Sequence, residues 1–116
     1  MGDTHTTIRG IVAATQVEIR DADLPPHRAA ELLNMMTSLL GSCNEAIRTA
    51  DMKYMLVYKT YLDSMEKANR AKIAAECSDE FMRKCEARDA KGEVEALIAA
   101  LKYYLRSAEN EMRFTR

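Results

Sequence analysis

Five tyrosines stand in this chain, each within a few residues of a base. Tyr54, Tyr58 and Tyr61 recur at helical spacing, with Lys53 and Lys59 beside them. Tyr103 and Tyr104 lie between Lys102 and Arg106. An aromatic face can stack a nucleobase while a neighbouring base holds phosphate. The candidate ligand-binding residues are therefore Tyr54, Tyr58, Lys59, Tyr61, Lys102, Tyr103, Tyr104 and Arg106. The same spacing also suits half-buried core tyrosines whose hydroxyls reach water. Both readings stand at this point.

A second group lies in "KANRAK", where Lys67, Arg70 and Lys72 form a local basic spot that a phosphate or nucleic acid could use. Acids interleave with it. Asp63–Lys67, Glu66–Arg70, Asp79–Arg83 and Glu80–Lys84 each set acid before base by one helical turn, the stabilising order. A salt-laced, solvated tip accounts for most of this stretch, and non-specific DNA binding should be weak. Asp51 is the one acid inside an apolar stripe, and a base on a facing helix, Lys102 or Arg106, is its expected partner.

Other chemistry finds no footing. The two histidines, His5 and His27, sit in no H-x-x-x-H or Cys/His arrangement, so no metal site is expected. No G-x-S-x-G, P-loop or G-x-G-x-x-G occurs. Neither a catalytic residue nor a cofactor is predicted. Cys43, Cys77 and Cys85 form no C-x-x-C pair and are odd in number, which suits buried thiols in a reducing cytoplasm.

The elements that must position these residues are helical. The chain has 116 residues, enough for one domain. Only four Gly and two Pro occur, too few for the turns of an all-β fold. Ala, Glu, Lys, Arg, Leu and Met, all good helix formers, dominate. The net charge of −1 gives no global field for nucleic acid or an anionic membrane. No apolar stretch reaches the ~20 residues that span a bilayer. "MGDTHTTIRG" has no basic segment leading into an apolar run, so no signal peptide is expected.

Along the chain, Ile8, Ile11, Val12, Thr15 and Ile19 share one helical face, although the run is also rich in strand-favouring residues. "DADLPP" ends it. Asp23 is a candidate cap, and the prolines can open the next helix. That helix carries Ala29, Leu32, Leu33, Met36, Leu39 and Leu40 on one side, with Gly41 as its expected stop. Ser42 and Glu45 read as a capping box. A helix without Gly or Pro then runs to about Glu76, with Ile47, Tyr54, Tyr58, Tyr61, Met65 and Ala68 as its stripe. Ser78 caps the last helix, whose stripe is Val94, Leu97, Ile98, Leu101, Leu105, Ala108 and Met112. Folding back at Cys77-Ser78 would set Tyr61 opposite Gly92, which either marks a kink or, for want of a side chain, allows close approach, and Asp51 near Lys102.

The predicted fold is all-α: one domain over 1–116, with an N-terminal helical segment at 1–41 and a long antiparallel hairpin at 42–116. The hairpin pairs about 42–76 with 78–114, and one or two shorter helices pack on it. A helix of ~35 residues is ~50 Å long. Two short segments cannot cover such an arm, so an apolar strip should remain exposed, and exposed strips mark interfaces. A homo-oligomeric helical bundle is expected, or a monomer that docks on a host protein.

"ADMKYMLVYKTYLDSMEKANRAKIAAE" followed by "LIAALKYYLRSAENEMRFTR" resembles small α-helical hairpin proteins of tailed bacteriophages and prophages. The resemblance covers roughly 46–116. It implies a viral protein in the cytoplasm of a bacterial host, and no catalytic residues. The function expected from it is non-enzymatic binding in phage–host conflict. Such an anti-defence protein would sequester a cyclic nucleotide signal in a homo-oligomer, or mask a host defence protein. A recombination or replication accessory that binds single-stranded DNA or a DNA-binding partner is the first alternative. A structural or assembly helper is the second.

Overall fold

Within residues 4–21 and 23–114, which the computed structural model describes, the backbone is almost wholly α-helical. The helices are α1 (Thr4–Asp21), α2 (Pro26–Ser64), α3 (Ala68–Glu76) and α4 (Asp79–Phe114). Among the described residues there is no strand. The molecule measures 73 × 27 × 21 Å, with a radius of gyration of 19.6 Å. A compact domain of this length would have ~13 Å. The chain is therefore a rod, and its length is set by α2 and α4.

One core organises the rod. Ile8 and Val12 of α1, Leu32, Met36 and Cys43 of α2, and Val94, Leu97 and Leu101 of α4 are buried together. Leu33, Leu39, Leu40, Ile98 and Leu105 pack around them. Cys43 apart, these are the periodic positions the sequence marks. The competing strand tendency of α1 is overridden because its period of 3.6 puts Ile8, Val12 and Thr15 on one buried face. Thr15 Oγ1 donates back to Ile11 O at 2.8 Å, so its hydroxyl is satisfied inside the core.

The prolines open α2, with Pro26 in its first turn and Pro25 at the N-cap. Asp23 is not the cap. Three further expectations give way here. Gly41 does not stop a helix, and Ser42 and Glu45 form no capping box, because α2 runs unbroken through them. A helical Gly costs about 1 kcal/mol relative to Ala. Met36, Cys43 and Ala46, on either side of Gly41, bury against the same core, and that burial outweighs the cost.

The second correction concerns the far end. The predicted helix to Glu76 breaks after Ser64, although no Gly or Pro lies there. Met65 is extended, at φ −116° and ψ 139°. The chain then turns aside as α3, whose Ala71 and Ala75 are fully buried. Small side chains let α3 lie close, and this tertiary contact holds a break that local propensity does not write. Asp63–Lys67 and Glu66–Arg70 consequently lose their helical spacing.

The third correction follows from the second. With α3 folded aside, α2 and α4 pair in a shorter register. Asp51 meets Arg88 at 3.5 Å in place of Lys102, about four helical turns earlier. Gly92 does not receive Tyr61. It is exposed, and a Cβ there would meet nothing within 4 Å.

The turn at Cys77-Ser78 forms where the sequence places it. Phe81 N donates to Ser78 Oγ at 3.2 Å, and Asp79 and Glu80 fill the first turn of α4. Two links brace the opposite end. Arg28 at the start of α2 donates from Nε to Glu18 Oε1 of α1 at 2.6 Å, and from a second nitrogen to Oε2 at 3.1 Å. Tyr104 of α4 donates its hydroxyl to the carbonyl of Leu24, in the α1–α2 link.

Candidate functional site

The tyrosines divide into two groups with different fates. Tyr54 is buried in the arm, its ring centroid 5.4 Å from that of Phe81 and 6.1 Å from that of Tyr58. Lys84 Nζ sits 4.5 Å above the Tyr54 ring, a cation–π contact inside the protomer. Burial, reinforced by nearby Glu76, pushes the Tyr54 hydroxyl above its ordinary pKa. Tyr58 and Tyr61 are half-buried beside it. Tyr104 is committed to Leu24, and Tyr103 is 75% exposed.

Tyr54 touches Phe81, and Phe81 to Tyr103 spans about 33 Å along α4. One protomer therefore does not bring Tyr54, Tyr58, Lys59 and Tyr61 together with Lys102, Tyr103, Tyr104 and Arg106. Lys102 and Arg106 are exposed at the three-helix end. The basic spot lies at the opposite tip. Lys67 is the N-cap of α3, and Arg70 and Lys72 follow within its first turns, all exposed. Glu66, Glu76 and Asp79 are exposed in the same tip segment. Among the described residues no group of three or more His, Cys, Asp or Glu gathers as a metal site would require. Among them, too, no helix is long and apolar enough to cross a membrane.

Cys43 is buried, and burial raises its thiol pKa against the opposing pull of nearby Lys91. It behaves as a small core residue. Cys77 and Cys85 are exposed near the tip.

What the structure does assemble is a surface. α2 between Asn44 and Leu62 presents an open groove of about 890 Å³ lined wholly by its own residues. Met52, Met55 and Leu56 lie along it, 62%, 62% and 66% exposed. Leu62, Ile47 and Tyr58 extend the apolar run. Arg48, Asp51 and Lys59 punctuate it. Asp51 is half-buried, with Oδ2 toward Arg88 and Oδ1 without a hydrogen-bond partner. The core cluster draws on α2 only as far as Ala46, so beyond it one flank of the helix has no partner element among the described residues.

Sequence reading anticipated an exposed apolar strip but did not say which residues form it. Met52 and Leu56 escaped notice because they lie off the Ile47–Tyr54–Tyr58–Tyr61 stripe. Their signal was present in the run "MKYMLVY", which is apolar on more than one side of a helix.

No known protein-family model, curated protein or solved structure matches this chain.

Proposed function

We propose that the chain is a non-enzymatic binding protein whose working surface is the α2 face from Asn44 to Leu62, and that its occupant is a helix of a protein chain. The carrying observation is the exposed run of Met52, Met55 and Leu56 on a helix of 39 residues. Monomeric proteins seldom leave such a strip in water. Covering it contributes about 1–2 kcal/mol for each of the three side chains. A long, shallow strip on one helix fits another helix, which offers matching knobs at the same spacing. Methionines suit such a surface because they adapt to the partner's shape.

The nucleotide-sequestering reading draws less support. Tyr54 and Tyr104 spend their polar or aromatic faces within the protomer, and the tyrosine–base groups lie about 33 Å apart along α4. Single-stranded DNA binding would rest on Lys67, Arg70 and Lys72, at a tip that also carries Glu66, Glu76 and Asp79. In the phage setting implied by the sequence resemblance, a helix-binding face serves either to mask a host defence protein or to assist an assembly.

Native mass spectrometry of the chain taken directly from cells tests this. A complex of defined protein stoichiometry, lost in Met55→Glu/Leu56→Glu, is the expected result. A protomer that carries only a nucleotide mass would transfer the function to the tyrosines. A bare protomer at every concentration would overturn the reading.

A further inference from the structure

The charges along the α2 face have an order. From the N-terminal side they run Arg48, Asp51, then the apolar triad Met52, Met55 and Leu56, then Lys59 and Asp63. The signs are plus, minus, apolar, plus, minus. Read backwards, the row is minus, plus, apolar, minus, plus. The row is therefore complementary to its own reverse. A second copy laid antiparallel meets an opposite charge at each of these four charged positions.

We infer that the occupant of this face is a second copy of the chain, packed antiparallel on the first about a two-fold axis beside Met55 and Leu56. The inference rests on the reading of this face as a protein-binding surface and names its partner. In this register Met55 meets Met55 or Leu56 of the copy at the axis. Arg48 faces Asp63 of the copy, and Asp51 faces Lys59. Symmetry repeats both pairs, as an isologous contact requires.

Other registers fail. A parallel pair in register sets Arg48 on Arg48, Asp51 on Asp51 and Lys59 on Lys59. Sliding the antiparallel pair two turns toward the tip sets Met55 on Asp63 and carries Arg48 past the end of α2 at Ser64. Sliding it two turns the other way sets Arg48 on Leu56 and leaves Asp63 beyond the apolar run. Of these, a single axis joins both ion pairs with the apolar triad at the centre. Asp51 adds a second mark. Its partner in the protomer is an exposed guanidinium 3.5 Å from Oδ2, a long contact on a side chain 36% exposed, which leaves room at that oxygen for a further cation.

The contact runs from Arg48 to Asp63, about 23 Å of helix. The three-helix ends then point away from each other, and the dimer is a longer rod than the protomer. Like charges set face to face select against other pairings, which is the usual role of charge in helix pairing.

Sedimentation equilibrium of the full-length chain is the test, with circular dichroism to establish that each variant folds. The native chain should reach twice the 13.1 kDa of the protomer. Arg48→Asp and Asp63→Arg should each weaken the dimer about tenfold, and together they should restore it, since the swapped pair is again opposite in sign. Met55→Cys, on a background with Cys77 and Cys85 changed to Ser, should oxidise to a covalent dimer, and Leu62→Cys on that background should not.

A monomer at all concentrations overturns self-pairing. If that monomer still leaves cells bound to another protein through Met55 and Leu56, the binding face stands without it. A dimer indifferent to Leu56→Glu overturns both readings. A dimer that needs Leu56 but ignores the charge reversals, with no Met55→Cys cross-link, overturns the antiparallel axis.

Discussion

Arg28 shows how one side chain can fix two helices. Its guanidinium holds both oxygens of Glu18 across the α1–α2 link, and its remaining arm donates to Glu31 one turn further on at 3.0 Å. The bidentate bond from Arg28 holds the Glu18 carboxyl below its ordinary value of 4.5. A carboxylate with a depressed folded pKa stabilises the fold above its unfolded value, and this contribution fades as pH falls through the folded one. The native chain should therefore melt above Glu18→Gln by a constant margin near neutral pH. Below about 4.5 the margin should shrink toward zero. Melting curves of both chains across that range check the sign, and a margin unchanged in acid would remove Glu18 from the account. Sequence alone did not show this pair. Glu18 and Arg28 lie on either side of two prolines, and only the chain reversal there brings them together. Tyr54 is the converse case. Its aromatic character and helical spacing were legible, but the same pattern serves a ligand face and a core face. Lys84 over the ring and Phe81 beside it place Tyr54 in the core.

At the scale of the element, periodicity decided what was legible. Ile8, Val12 and Thr15, then Ala29, Leu32 and Met36, then Val94, Leu97 and Leu101 are buried in the order their spacing foretells. Punctuation misled. Gly41 and Gly92 are each helical and exposed, and a methyl group added at either would meet no atom within 4 Å. Their cost is conformational and local, while the burial of their neighbours is worth more. The break after Ser64 is the reverse: no punctuating residue, yet the helix ends, because α3 gains a tertiary seat through Ala71 and Ala75. This contrast makes a prediction. Gly92→Ala adds no clash and removes backbone freedom from the unfolded chain. It should stabilise the protein by about 1 kcal/mol. For a chain of this size that raises the melting temperature by about 4–6 °C. A fall in melting temperature would mean that the backbone at Gly92 departs from a relaxed helix.

For the whole molecule, the buried mass is unevenly placed along the rod. The main core gathers residues from Ile8 to Ala46 and from Ala90 to Leu101, and none from α3. The tip is held by Tyr54, Phe81, Ala71, Ala75 and Ala87, most of them small, while Ile73 and Met82 stand 62% and 60% exposed. Nine residues of α3 are too few to be helical alone, so that helix exists only while it is seated. Its N-cap, Lys67, offers no side-chain acceptor to the free N–H groups of the first turn. Unseating α3 exposes little apolar surface, so the opening is cheap, whereas opening the three-helix end uncovers Leu32, Met36, Val94 and Leu101 at once. The rod should thus open from the tip inward. Amide hydrogen exchange of the native chain should show α3 exchanging through a local event, insensitive to low denaturant. The amides around Met36 and Leu97 should exchange only with global unfolding. Equal protection at both ends would mean one cooperative unit, and would require a covering for the tip that the protomer alone does not supply. The proposed dimer makes a sharper demand on the same data. Its contact ends at Asp63, just before the break, so raising the concentration should slow exchange along the second half of α2 and leave α3 fast.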